Sequence, residues 1–161
     1  MDFFPGKNGE FTVNIALIEN RYPVEGYVYS PTMKTLYVGG NNKNSYKIKN
    51  SIVEQIQTSS ISDPIRIVAS RSHLNEETKK YISQFPHHEL LQSGSSIKLC
   101  MVAEGKADIY PRFAPTSEWD TAAAQAVVEG AGGSVLDTES NRLIYQKDNI
   151  LNPHFIVKGN K

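Results

Sequence analysis

Trp119-Asp120-Thr121-Ala122-Ala123-Ala124-Gln125-Ala126-Val127-Val128-Glu129-Gly130-Ala131-Gly132-Gly133 is the stretch from which the rest of the chain is read. An acidic residue stands at the mouth of a short helix of small residues, and the helix ends in a glycine turn. That arrangement points a carboxylate out of a helix N-terminus, where it can ligate a metal beside a phosphate. A carboxylate is a good hard ligand for Mg²⁺, which takes one or two of them and keeps substrate phosphate oxygens. An Asp near a helix start is also a common cap, favoured by the helix dipole. Both readings of Asp120 stand at this point.

Upstream of this helix the chain alternates strands and helices. Ile65-Arg66-Ile67-Val68-Ala69 reads as a short buried strand. Residues 72–85 read as a helix, with Leu74, Thr78, Tyr81, Ile82 and Phe85 at helical spacing and Pro86 as its stop. His88–Leu91 is a strand, and 95–104 is a second helix stopped at Gly105. Ala107–Tyr110 is a strand closed by Pro111. After the Trp-Asp helix come strands at Ser134–Leu136 and Phe155–Val157. This order predicts a layered α/β lobe over residues 65–161.

Residues 1–64 have a different texture. Phe11, Val13, Ile15 and Leu17 alternate with Thr12, Asn14 and Ala16, as in a half-buried strand. A turn is expected at Arg21-Tyr22-Pro23, strands at Tyr27–Tyr29 and Leu36–Val38, and a loop at Gly39-Gly40-Asn41-Asn42. One more strand is expected near residues 45–48. This segment reads as an antiparallel meander.

Composition narrows the function. The 161 residues carry 17 basic and 17 acidic side chains. That balance gives no bulk attraction to nucleic acid or anionic membrane, so an anion site must be local. No apolar run approaches the ~20 residues of a membrane span, and the first residues lack a signal-peptide pattern. The single cysteine, Cys100, lies in an apolar run and excludes an internal disulfide. It reads as core packing in a reducing compartment, and the expected location is the cytoplasm.

Three further segments can carry chemistry. Gly94-Ser95-Ser96-Ile97-Lys98 leads into a helix with hydroxyls, backbone amides and one lysine. It suits a phosphate, or is an ordinary serine cap with an exposed lysine. In Tyr110-Pro111-Arg112-Phe113, Arg112 can pair bidentately with a phosphate or lie in solvent. Ser70-Arg71-Ser72-His73 sits at a strand-to-helix junction, the usual ligand edge of an α/β sheet, where His73 can meet a base. His87-His88 has no further ligand at metal spacing and reads as surface. No nucleophile motif is present, so no catalytic side chain is assigned.

In order along the chain, Asn8-Gly9-Glu10-Phe11-Thr12-Val13-Asn14-Ile15-Ala16-Leu17, Ser70–His73, Gly94–Lys98, Val102-Ala103-Glu104-Gly105, Tyr110–Phe113 and Trp119-Asp120 resemble the bisphosphate nucleotidase branch of the inositol monophosphatase superfamily. The resemblance implies the α/β/α sugar-phosphatase-like fold, preceded by strands of an antiparallel sheet. It implies that Asp120 binds metal, that Ser95, Lys98 and Arg112 hold a 5′-phosphate, and that His73 lies near an adenine. The implied reaction is Mg²⁺-assisted hydrolysis of the 3′-phosphate of 3′-phosphoadenosine 5′-phosphate to AMP, which clears a by-product of sulfate assimilation. The alternatives are an inositol or sugar monophosphatase, a non-catalytic nucleotide-binding remnant, and an unrelated α/β binding module.

The chain departs from the family pattern at its start. The family has a Glu-Glu element and an Asp-Pro-Ile/Leu-Asp-Gly-Thr motif before the Asn-Gly-Glu-Phe segment, and here Met1 falls about where that threonine would stand. Asp2 is the only acid before Glu10. Ala124 replaces a common glycine. The expectation is a truncated chain with one metal carboxylate, and with an open apolar sheet edge at residues 11–39 that promotes self-association.

Overall fold

The computed structural model describes residues 10–40, 43–70 and 74–159. Its first half is a five-stranded antiparallel meander of β1 (Val13–Glu19), β2 (Tyr22–Ser30), β3 (Thr35–Gly40), β4 (Lys43–Lys49) and β5 (Ile52–Ile56), ordered as in the sequence. The expected turn at Arg21–Pro23 falls one residue earlier. Asn20 and Arg21 hold φ of 50° and 69°, and Tyr22 and Pro23 already pair with β1. This type I′ hairpin needs positive φ at both central positions, which proline cannot supply. Asn50 and Ser51 repeat the device before β5, a strand the sequence reading left out. Gly39 and Gly40, expected in a loop, lie inside β3.

The second half contains β6 (Ile65–Ser70), α1 (Glu76–Ile82), β7 (His88–Ser93), α2 (Ile97–Ala103), β8 (Ile109–Arg112), α3 (Glu118–Gly130), β9 (Ser134–Asp137) and β10 (Phe155–Lys158). The sheet order is β7-β6-β8-β10-β9, with β6 parallel to both neighbours and β10 antiparallel to β8 and β9. The chain is therefore a mixed α/β fold with two sheets. α1 is shorter than expected because Asn75 caps it, accepting from the Thr78 amide at 2.9 Å. Pro111 lies within β8 rather than closing it, two residues beyond the pairing of Ile109 with Ile67.

Strand alternation sorts this sheet into two dry faces. Ile67, Ala69 and Ile109 join Ile82 of α1, with Leu74, Tyr81, Phe85 and Ile156 packed around them. Val68, Tyr110, Phe155 and Val157 face the other way, into one cluster with Leu99 and Val102 of α2, Val127 and Val128 of α3, and Val28 and Tyr37 of the first sheet. Cys100 is fully buried there, as expected of a packing residue, and burial pushes its thiol pKa up.

α3 is the layer shared by the two sheets. Its run of alanines is buried, and Gly26 of β2 sits so close that a Cβ would strike the Ala123 carbonyl. Thr121 and Gln125, one turn apart, bond the Tyr145 hydroxyl at 3.1 and 2.5 Å. Asn152 donates to Thr121 at 2.9 Å, and Gln125 donates to Glu129, which holds Arg142 through two bonds. Elsewhere Asp108, whose side chain is fully buried, accepts from the Arg66 guanidinium at 2.7 Å and from Ser59 and Ser62. These bonds hold its carboxyl well below the usual carboxylate range despite the opposing cost of burial.

Candidate functional site

The strand-to-helix junctions of the second sheet open into a cavity of about 220 Å³. Small-molecule sites usually span ~300–1,000 Å³, so this cavity suits part of a ligand, of phosphate-and-sugar size. Its lining includes Ser95, Lys98, Arg112 and Asp120, four of the five residues singled out in the sequence. The fifth, His73, lies outside the described residues.

Lys98 is the least expected of them. It is 4% exposed, not the solvated lysine that the sequence allowed. Its Nζ donates to the Ser95 carbonyl at 2.8 Å and lies 5.4 Å from the centre of the Tyr110 ring. Burial first, and then the Arg112 charge, lower its pKa to about 8, while Glu10 opposes the change. Tyr110, buried beneath it, is pushed up to about 12 by burial. Two cations close together in a partly dry cavity repel each other, and an anion between them relieves that repulsion.

Arg112 is half-buried at the end of β8, and its Nη2 donates to the Pro115 carbonyl at 3.2 Å. Its Nε is buried without a hydrogen-bond partner among the described residues. Ser95 stands in the turn before α2 with φ of 53°, a left-handed conformation uncommon outside glycine. Ser96 caps the helix by position, but its hydroxyl turns away from the helix and donates to Asn14 Oδ1 at 2.8 Å.

Asp120 is the third residue of α3, and its Oδ2 accepts the Ser117 amide at 2.8 Å. The cap reading is therefore correct. It leaves the cavity reading standing, because a carboxylate accepts at two oxygens. Trp119 is 62% exposed and lines a second, more apolar groove with Ala16, Ile18, Ala122 and Tyr145. His87 and His88 are exposed. Among the described residues no three His, Cys, Asp or Glu side chains cluster at metal-binding distance.

Sequence reasoning missed Asn14, Thr116, Thr121 and Phe155, which line the same cavity, while Ser96, quoted in the serine segment, lines it too. Sequence reasoning also missed Glu10, which packs against Gly94. Glu10 and Asn14 lie within the Asn8–Leu17 stretch quoted above, which is the only signal the sequence held for them.

Residues 2–160 match the inositol monophosphatase family model. The chain is 45% identical over 155 residues to the 3′(2′),5′-bisphosphate nucleotidase CysQ of Salmonella typhimurium, covering 96% of this chain and 62% of that protein. The Escherichia coli protein of the same name is 44% identical over the same shares. The chain thus spans about 62% of the length of the curated relatives it matches. In structure it matches CysQ from Bacteroides thetaiotaomicron, described as a bacterial member of the inositol monophosphatase family, with a TM-score of 0.89 and 43% identity over 96% of this chain and 65% of that one. An inositol monophosphatase from Zymomonas mobilis, 24% identical over 93% of this chain and 58% of that one, shares the fold with a TM-score of 0.77.

Proposed function

This chain belongs to the inositol monophosphatase family, and from that premise we propose that it serves Mg²⁺-dependent removal of the 3′-phosphate of 3′-phosphoadenosine 5′-phosphate, leaving AMP. The observation that carries the reading is the buried Lys98 beside Arg112 in the cavity that also holds Asp120. A monophosphate needs one anion site. Lys98 and Arg112 give the cavity two cations besides its carboxylate, enough for a second anion, which argues for a bisphosphate over an inositol or sugar monophosphate.

In this reading Lys98, Arg112 and Ser95 bind the 5′-phosphate and fix the register of the nucleotide. The depth of Lys98 keeps water from screening its charge. Asp120 is the residue that would hold Mg²⁺, and its hard oxygen donors fit that ion. When bound, Mg²⁺ neutralises charge on the transferring phosphoryl group and activates a water. The described residues fit one carboxylate corner of such a site and do not fit a two-ion cluster. The His73 role near the adenine rests on the resemblance alone. The proposed compartment is the cytoplasm, supported by the unpaired, buried Cys100; no described helix is long and apolar enough to cross a membrane.

That single carboxylate favours a second reading, in which the chain binds the nucleotide without hydrolysing it. Phosphate release from 3′-phosphoadenosine 5′-phosphate with excess Mg²⁺, measured beside calorimetric binding, separates the two. Release lost in Asp120→Ala supports the phosphatase. Binding that weakens in Lys98→Ala, with no release, supports the second reading. Neither binding nor release sinks both.

A further inference from the structure

Outside the residues just assigned, a closed set of hydrogen bonds ties the first sheet to the cavity wall. Thr12, just ahead of β1, places Oγ1 2.6 Å from Ser95 Oγ and 2.8 Å from Ser96 Oγ. Asn14 Nδ2 donates to Thr12 Oγ1 at 3.1 Å, and Ser96 Oγ donates to Asn14 Oδ1 at 2.8 Å. Each hydroxyl has one proton, which settles the remaining directions. The Ser96 proton is committed to Asn14, so Thr12 donates to Ser96. The Thr12 proton is then committed, so Ser95 donates to Thr12. Thr12, Ser96 and Asn14 form a ring of three bonds, and Ser95 hangs from it.

Ser95 is therefore the one hydroxyl of the three that can turn its proton to an anion without opening the ring. Its carbonyl also anchors Lys98 Nζ. The turn that carries both groups is held in a left-handed conformation at Ser95, which costs free energy and persists only where surrounding structure imposes it. The cap hydroxyl of Ser96 has been diverted from α2 to the ring, so the turn is fixed from β1 rather than from its own helix.

We propose that Thr12 and Asn14 are positioning residues for the anion site, holding the Ser95–Ser96 turn so that Ser95 and Lys98 face a 5′-phosphate together. This rests on the proposed function, since the ligand is the phosphate assigned there. Thr12→Val and Asn14→Ala then weaken AMP binding about tenfold, and Thr12→Val leaves adenosine binding unchanged. Thr12→Ser keeps the hydroxyl and restores AMP binding. Ser96→Ala opens the same ring, so the Thr12→Val/Ser96→Ala pair is no weaker than either single variant, as expected of groups acting as a unit.

Calorimetric titration of the whole chain with AMP and with adenosine reads these effects. A readout free of ligand is amide exchange at Leu99 and Cys100, both of which donate to the Ser96 carbonyl. Faster exchange at those two amides in Thr12→Val, reversed in Thr12→Ser, supports the proposal. AMP affinity that falls in Lys98→Ala but is unchanged in Thr12→Val and Asn14→Ala overturns the positioning role and spares the phosphate site. AMP bound no better than adenosine, with Lys98→Ala silent, overturns the phosphate site and the positioning role with it. Additive losses in the double variant overturn the ring.

Discussion

At the centre of the β6–β10 sheet, away from the exposed edge strand β7, both faces are covered, Ile67 and Ile109 by α1 and Val68 and Tyr110 by the layer of α2 and α3. In the β1–β5 sheet one face packs on α3 through Val28 and Tyr37, while Val13, Ile15, Leu17, Tyr27 and Tyr29 are 38–63% exposed. The register places them side by side, Val13 opposite Tyr29 and Ile15 opposite Tyr27. The same alternation thus produces a dry sheet and a half-wet one. What differs is the presence of a second layer, and the dry sheet is the one that carries the cavity. Contiguous apolar patches of this kind mark surfaces that associate. Self-association through the open sheet edge at residues 11–39 is a proposal that this contrast supports.

The contrast is most severely tested at Gly26. Gly26→Val drives a side chain into the Ala123 backbone. It is expected to cost more than ~3 kcal/mol by urea unfolding, while Ile15→Val on the bare face costs under ~0.5 kcal/mol. Equal costs would erase the distinction between the faces.

Asp108→Asn probes the dry sheet. With Arg66 left unpaired, the loss is expected near 3 kcal/mol. The Asp108 pKa is lowered on folding, so its contribution is complete above the ordinary carboxylate pKa of ~4 and fades as pH falls below it. Urea midpoints from pH 6 to pH 2 should drop in the parent and drop less in the variant. Matching slopes would remove Asp108 from the account.

Lys98 gives the next effect. Its pKa near 8 leaves it charged below that pH and neutral above. A phosphate monoester is a dianion above about pH 7. AMP affinity should therefore fall by up to about tenfold per pH unit above 8, and stay flat in Lys98→Met. The folded protein should gain stability as pH rises from 8, because the unfolded chain keeps the lysine proton longer. A flat affinity profile for the parent would refute the assignment.

The smallest change in stability is expected for Ile15→Lys and Leu17→Lys, within ~0.5 kcal/mol. Sedimentation velocity should nonetheless show less self-association. An unchanged distribution, or a parent that is monomeric throughout, would show that the bare face does not associate.

Much of this was legible in the sequence, for reasons that differ by residue. The helical spacing from Leu74 to Phe85 and the apolar run of Ile65–Ala69 reflect buried faces, so their elements emerged with edges off by a few residues. β5 escaped because Ile52, Val53, Glu54 and Gln55 are all exposed and show no alternation. Ser95, Lys98, Arg112 and Asp120 were found as residues, but not as one cavity. Lys98 lies between Ile97 and Leu99, and nothing local says whether a lysine so placed is wet or dry. Thr12 and Asn14 meet the turn across more than 80 residues, a distance at which sequence pattern carries no information.

A helix faced with alanine has little relief to stop it turning about its own axis. The hydrogen bonds of Thr121 and Gln125 with the Tyr145 hydroxyl, and the one Thr121 accepts from Asn152, act as a key in a slot. Each residue advances an α-helix by about 100°, so a slip of one position would swing Asp120 a quarter-turn or more out of the cavity. The angular aim of the carboxylate is thus set from the loop before β10, by side chains that need never touch a substrate.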